Sequence, residues 1–132
     1  MRRVIENGRK YWYANPRIDG VRWRQLENDL RDLRNLGIQP VILDTAEHPA
    51  FLAAIADTDM DRTNRLFHSQ LSNLCSRMDI PLLCYQTDVF AGHDVNELFY
   101  DILHVNSTGA EVFSEILARD IQQLLDNGRL TL

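Results

Sequence analysis

The chain is poor in the residues that build small covalent or metal-held scaffolds. Of its 132 residues two are cysteines, Cys75 and Cys84, too few for a disulfide framework and in no zinc-like spacing. Both are expected to be buried, reduced and inert, Cys75 on the apolar side of a helix and Cys84 inside an apolar strand. No apolar run approaches the roughly 20 residues that a bilayer-spanning helix needs. The first residues, "MRRVIENGRK", carry arginines but no apolar stretch behind them, so they do not read as a secretory signal. If Met1 is the natural start, a cytoplasmic protein is expected; in a piece of a longer polypeptide the compartment is open. There is also no Lys-rich run, no zinc-finger spacing and no RNA-binding signature.

What is present is an ordinary globular composition, 45% hydrophobic and 25% charged, in a length suited to one domain. The charge is uneven. Residues 1–24 hold seven Arg and Lys against Glu6 and Asp19, so within the total of −5 the remainder carries −10. The basic residues read as solvated, or paired with acidic groups elsewhere, rather than as a nucleic-acid footprint.

The pattern along the chain alternates helix and strand. "VIENGRKYWY" places Asn-Gly between two β-prone runs, a hairpin signal, so residues 1–19 read as an N-terminal hairpin or arm. "VRWRQLENDLRDLRNLG" puts Trp23, Leu26, Leu30 and Leu33 on one helical stripe, with Asp19 as N-cap and Gly37 just past the end. "IQPVILDT" and "IPLLCYQ" read as buried strands. "PAFLAAIAD" is a short helix, and "RTNRLFHSQLSNLCSRM" gathers Leu66, Phe67, Leu71, Leu74, Cys75 and Met78 on one face. An irregular stretch, "TDVFAGHDVNELFYDILH", leads to a last amphipathic helix carrying Val112, Phe113, Ile116, Leu117, Ile121 and Leu124, capped by Ser107 or Thr108. Such alternation implies one α/β domain, a parallel sheet covered by helices, with its core in residues 20–126.

In such sheets ligands gather beyond the carboxyl ends of the strands. The first strand runs out into "DTAEHP" and the second into "QTDVFAGHD", so Asp44, Glu47, His48, Asp88, His93 and Asp94 are expected on one rim. Glu47 and His48 are the candidate substrate-binding residues there. His68, mid-helix, and His93, in a polar turn, read as ordinary surface or core-flanking histidines. His48, Asp88, His93 and His104 share the rim but match no metal signature, so no metal or cofactor is expected.

The stretch "DILHVNSTG" is the most specific feature. A carboxylate on one imidazole nitrogen fixes the tautomer and stabilises the imidazolium, leaving the other nitrogen as a base. Asp101 and His104, separated by two residues, can fold onto each other, and an oxygen-to-Nδ1 distance of about 2.6–3.2 Å is expected. "DILHVNSTGAEVFSEILARDI" resembles the C-terminal block of the SGNH (GDSL-type) hydrolases, with Asp101, His104, Val105, Asn106 and Gly109 at the matching positions. The order of elements over about residues 20–126 is similar too. The resemblance implies a three-layer, flavodoxin-like sheet flanked by helices. It implies His104 as base, Asp101 as its orienting partner and Asn106 as a third candidate substrate-binding residue, acting on a small-molecule or carbohydrate ester. The family's serine nucleophile and oxyanion donors precede the matched region, and no G-D-S occurs here; the first serine is Ser69, inside a helix. The chain therefore corresponds to the carboxyl half of such a fold, incomplete at its N-terminal side. It is expected to be a fragment or truncated form of an esterase or acyltransferase, or alternatively a non-catalytic binding domain that kept the scaffold. The open sheet edge is expected to be covered by residues 1–14 or by a second copy in a homodimer.

Overall fold

The structure is a computed structural model, and it describes residues 18–85 and 89–131. The expected N-terminal hairpin, the edge cover by residues 1–14 and the rim residue Asp88 lie outside the described residues. Within them the order is α1 (Gly20–Asn35), β1 (Ile42–Asp44), α2 (Pro49–Ile55), α3 (Asp59–Arg77), β2 (Leu82–Cys84), α4 (Val95–Leu98) and α5 (Ser107–Asp126). The molecule is mixed α/β and mostly helical, with one two-stranded parallel sheet among the described residues. Ile42, Leu43 and Asp44 pair with Leu82, Leu83 and Cys84. None of the described helices is long and apolar enough to cross a membrane.

Local chemistry explains the helix ends. The Asp19 carboxylate accepts the amides of Val21 at 2.8 Å and Arg22 at 3.3 Å, satisfying donors that an α-helix leaves unpaired at its start. At the other end Gly37 turns to φ 79°, and the amides of Gly37 and Ile38 close back onto the carbonyls of Arg34 and Leu33. Pro49 opens α2, where a missing N–H costs nothing. Thr58 caps α3. The last helix starts one residue earlier than its Ser-Thr pair suggests: Asn106 is the cap, and its side-chain oxygen accepts the Gly109 amide at 3.0 Å.

The core forms three clusters. Leu30, Leu71, Leu74, Cys75 and Ile80 join α1 and α3 over the sheet residues Ile42 and Leu82. Full burial of one leucine contributes about 1.5–3 kcal/mol, and Leu74 is entirely covered. Phe51 and Ile55 of α2 enclose Ile102. Phe90, Leu98 and Phe99 pack with Ala46, Val105, Val112 and Phe113.

Two expectations need correction. The strands are not buried on both faces: Leu43 is 42% exposed and Cys84 is exposed, so no described element covers either side chain. Cys75 is buried, as its helical face requires. The apolar stripe of α3 is narrower than its spacing suggests. Leu66 is 52% exposed, and Phe67 lies at the rim, edge-on to Trp23.

Candidate functional site

The segment after α4 doubles back on itself. Phe99 and Val105 form an antiparallel bridge, and the Tyr100 amide donates to the His104 carbonyl at 2.8 Å. Inside this narrow loop Oδ1 of Asp101 accepts the amides of Leu103 and His104, both at 2.8 Å. These amides hold the carboxylate in place before any side chain is considered. Both carboxylate oxygens then lie 2.9 Å from Nδ1 of His104, within the expected range. The carboxyl of Asp101 is pulled two ways. Partial burial pushes its pKa up, but the Leu103 amide, the His104 ring and the His104 amide outweigh that and hold it below the ordinary aspartate value. The His104 side chain is 74% exposed, and among the described residues nothing hydrogen-bonds its Nε2.

Asn106 anchors the far side of the loop. Its amide donates to the Leu98 carbonyl at 2.9 Å, its Nδ2 to the Glu97 carbonyl at 2.7 Å, and its Oδ1 caps α5. With every polar atom of that side chain engaged by backbone, Asn106 positions the loop and the helix together. Gly109 makes the packing possible, since a Cβ there would sit against the Leu98 carbonyl and 3.0 Å from Cβ of Val105.

His48 supports the loop from below. It is 3% exposed. Its Nδ1 accepts the Ala50 amide at 3.0 Å as the cap of α2, so Nε2 bears the proton of the neutral ring. That Nε2 has no hydrogen-bond partner among the described residues, and the ring stands edge-to-face with Phe99 at 5.1 Å. The His48 main-chain N–H donates to the Ile102 carbonyl at 3.2 Å, joining the start of α2 to the dyad loop.

The structure does not gather the remaining candidates around His104. Asp94 caps α4 through the Asn96 amide. Glu47 turns toward α3 and accepts a long, 3.5 Å bond from Asn64 Nδ2. Burial pushes the Glu47 carboxyl above its ordinary range; the Asn64 bond and His68 counter it in part, and Asp44 adds to it. A second Asp–His pair lies here: Oδ2 of Asp44, the last residue of β1, is 2.7 Å from Nδ1 of His68. Nε2 of His68 meets Asn64 Oδ1 at 3.0 Å, and Cys84 Sγ is 3.5 Å from Asp44 Oδ2. The only hint of this pair in the sequence is the strand-end position of Asp44, because His68 arrives from a helix 24 residues on. Among the described residues no three His, Cys, Asp or Glu side chains are arranged to hold a metal ion.

Family models, curated proteins and solved structures were all compared with the chain, and none matches it.

Proposed function

We propose that the chain carries the base-bearing portion of an SGNH-type hydrolase or acyltransferase that acts on ester bonds of a small molecule or carbohydrate. One observation carries this reading: both oxygens of Asp101 face Nδ1 of His104 at 2.9 Å while Nε2 stays open to solvent. In the neutral ring this arrangement puts the proton on Nδ1 and turns the lone pair of Nε2 outward. In the proposed reaction Nε2 takes the proton of an attacking hydroxyl, Asp101 stabilises the resulting imidazolium, and the same proton then passes to the departing alkoxide. The hydroxyl and the oxyanion donors come, on this reading, from sequence outside residues 1–132, which would also extend the two-stranded sheet toward the three-layer arrangement. The parallel pairing and the position of the dyad beyond β2 support it.

The test is fluorophosphonate labelling of the natural polypeptide that contains this chain, followed by peptide mapping. A label on a serine outside residues 1–132, lost in His104→Ala and strongly slowed in Asp101→Asn, is the expected result. Loss of the orienting carboxylate in such triads lowers turnover by about 10⁴-fold. Labelling of Ser69, Ser72, Ser76, Ser107 or Ser114, labelling indifferent to His104, or no labelling at all would overturn the proposal.

A further inference from the structure

A cleft of about 350 Å³ opens between the loop after β1 and the segment that leads into α4. Its wall is largely apolar, with Ala46, Leu52, Val89, Phe90 and Val95 contributing. Two ionisable residues line it: Glu47, whose carboxylate also accepts from Asn64 of α3, on one bank, and the exposed His93 on the other. The volume falls in the range of small-molecule sites, about 300–1,000 Å³, which typically pair apolar walls with a few polar groups.

Glu47 is the unusual member. It is partly buried, it makes no ion pair among the described residues, and its one described hydrogen bond is the 3.5 Å contact from Asn64. Asp44, paired with His68 at 2.7 Å, adds negative potential at this carboxyl, and His68 opposes it. A carboxylate kept partly from water and short of donors gains from any cation that can enter. Anionic ligands meet the Glu47 carboxylate, and neutral ones offer it at most an uncharged donor. An ammonium head offers three donors to the carboxylate oxygens, and an apolar body matches the wall.

We propose that this cleft binds a small amphipathic cation, an alkyl- or aralkylammonium, with its head on Glu47 and its apolar body against Leu52, Phe90 and Val95. Binding here does not depend on Asp101 and His104 performing ester chemistry, so the two proposals fail separately. The upward displacement of the Glu47 pKa by burial fits a carboxyl waiting for a countercharge.

The experiment is a set of amide chemical-shift titrations of the full chain at fixed ionic strength. The probes are phenethylammonium chloride, the neutral 2-phenylethanol and the anionic phenylacetate. The ammonium is expected to shift the amides around Glu47, Leu52 and Val95 saturably, with a dissociation constant of about a millimolar. The alcohol, which gives the carboxylate one uncharged donor in place of a charged head, should bind about tenfold more weakly, and phenylacetate weaker still. Glu47→Gln should bring the ammonium down to the level of the alcohol, and Ala91→Trp, which adds bulk at an exposed position of the lining, should weaken both. Equal affinity for the three probes, no saturable shift, or an ammonium affinity unchanged in Glu47→Gln would overturn the proposal. The comparison of probes on the unmodified chain decides the matter even if a variant fails to fold.

Discussion

Replacing Gly109 by alanine tests how closely the last helix approaches the dyad loop. A Cβ at this position collides with the Leu98 carbonyl and presses on Val105. The same carbonyl accepts the Asn106 amide at 2.9 Å, so pushing the helix away also breaks that bond. Overpacking of this kind costs about 1–3 kcal/mol, more readily when the obstacle is backbone that cannot rotate aside. The lost hydrogen bond adds about 1 kcal/mol. Alanine returns about 1 kcal/mol through its better helix propensity. The net destabilisation is about 2 kcal/mol, or a fall in Tm of about 6–10 °C for a domain of this size. Urea and thermal unfolding followed by far-UV circular dichroism measure it. Gly20→Ala is the control, because a Cβ there meets nothing closer than the end of Arg24 at 3.7 Å. That substitution should stabilise by up to about 1 kcal/mol. If Gly109→Ala proves neutral or stabilising while Gly20→Ala behaves as stated, the close approach of α5 to Leu98 is refuted, and with it the account of how the loop is held.

Two further outcomes follow from the packing. His48→Asn should be about 1 kcal/mol more stable than His48→Ala, because asparagine keeps an acceptor for the first turn of α2; equal unfolding midpoints would show that the capping bond contributes nothing. Tyr85, buried and donating to Asp120 Oδ2 at 2.9 Å, is pushed up to about 12, chiefly by burial and then by that bond and the Asp120 charge. An acid whose folded value exceeds its unfolded value, about 10 for tyrosine, stabilises the fold below 10 and loses that contribution as pH rises from 10 toward 12. Tyr85→Phe should flatten stability over that window, as urea midpoints measured at several pH values will show; an unchanged slope would mean the phenol titrates alike in both states.

Local features were the legible ones. Asp19, Gly37 and the helical stripes of α1 and α3 act over one or two turns, and their residue types announce them. Asp101 and His104 belong to the same class, since the pair closes through amides within the loop itself. Spacing alone does not single out the cap of α5, because Ser107 and Thr108 offer the same chemistry as Asn106. The choice falls to Asn106 through its bonds to Leu98 and Glu97, which are tertiary. Tertiary placement also governs the rest. His48 follows a strand end and so reads as a rim residue, yet the packing of Phe99 and Ile102 covers it. Cys84 sits in an apolar run, yet it is exposed, because what packs over its face is a tertiary matter. The Asp44–His68 pair depends on which turn of α3 faces the end of β1, and side-chain spacing along either element does not reveal that.

The bridge between Phe99 and Val105 encloses a very short stretch of chain. Closing so small a loop requires little search, because the entropy of closure grows with contour length and the contacts involved are near neighbours. Asp101 and His104 can thus adopt their mutual orientation early in folding, ahead of the long-range contacts that join α1 to α3. On the proposed function, a hydroxyl brought to Nε2 would meet an imidazole already aimed, and assembly of the full site would have only to place the incoming group.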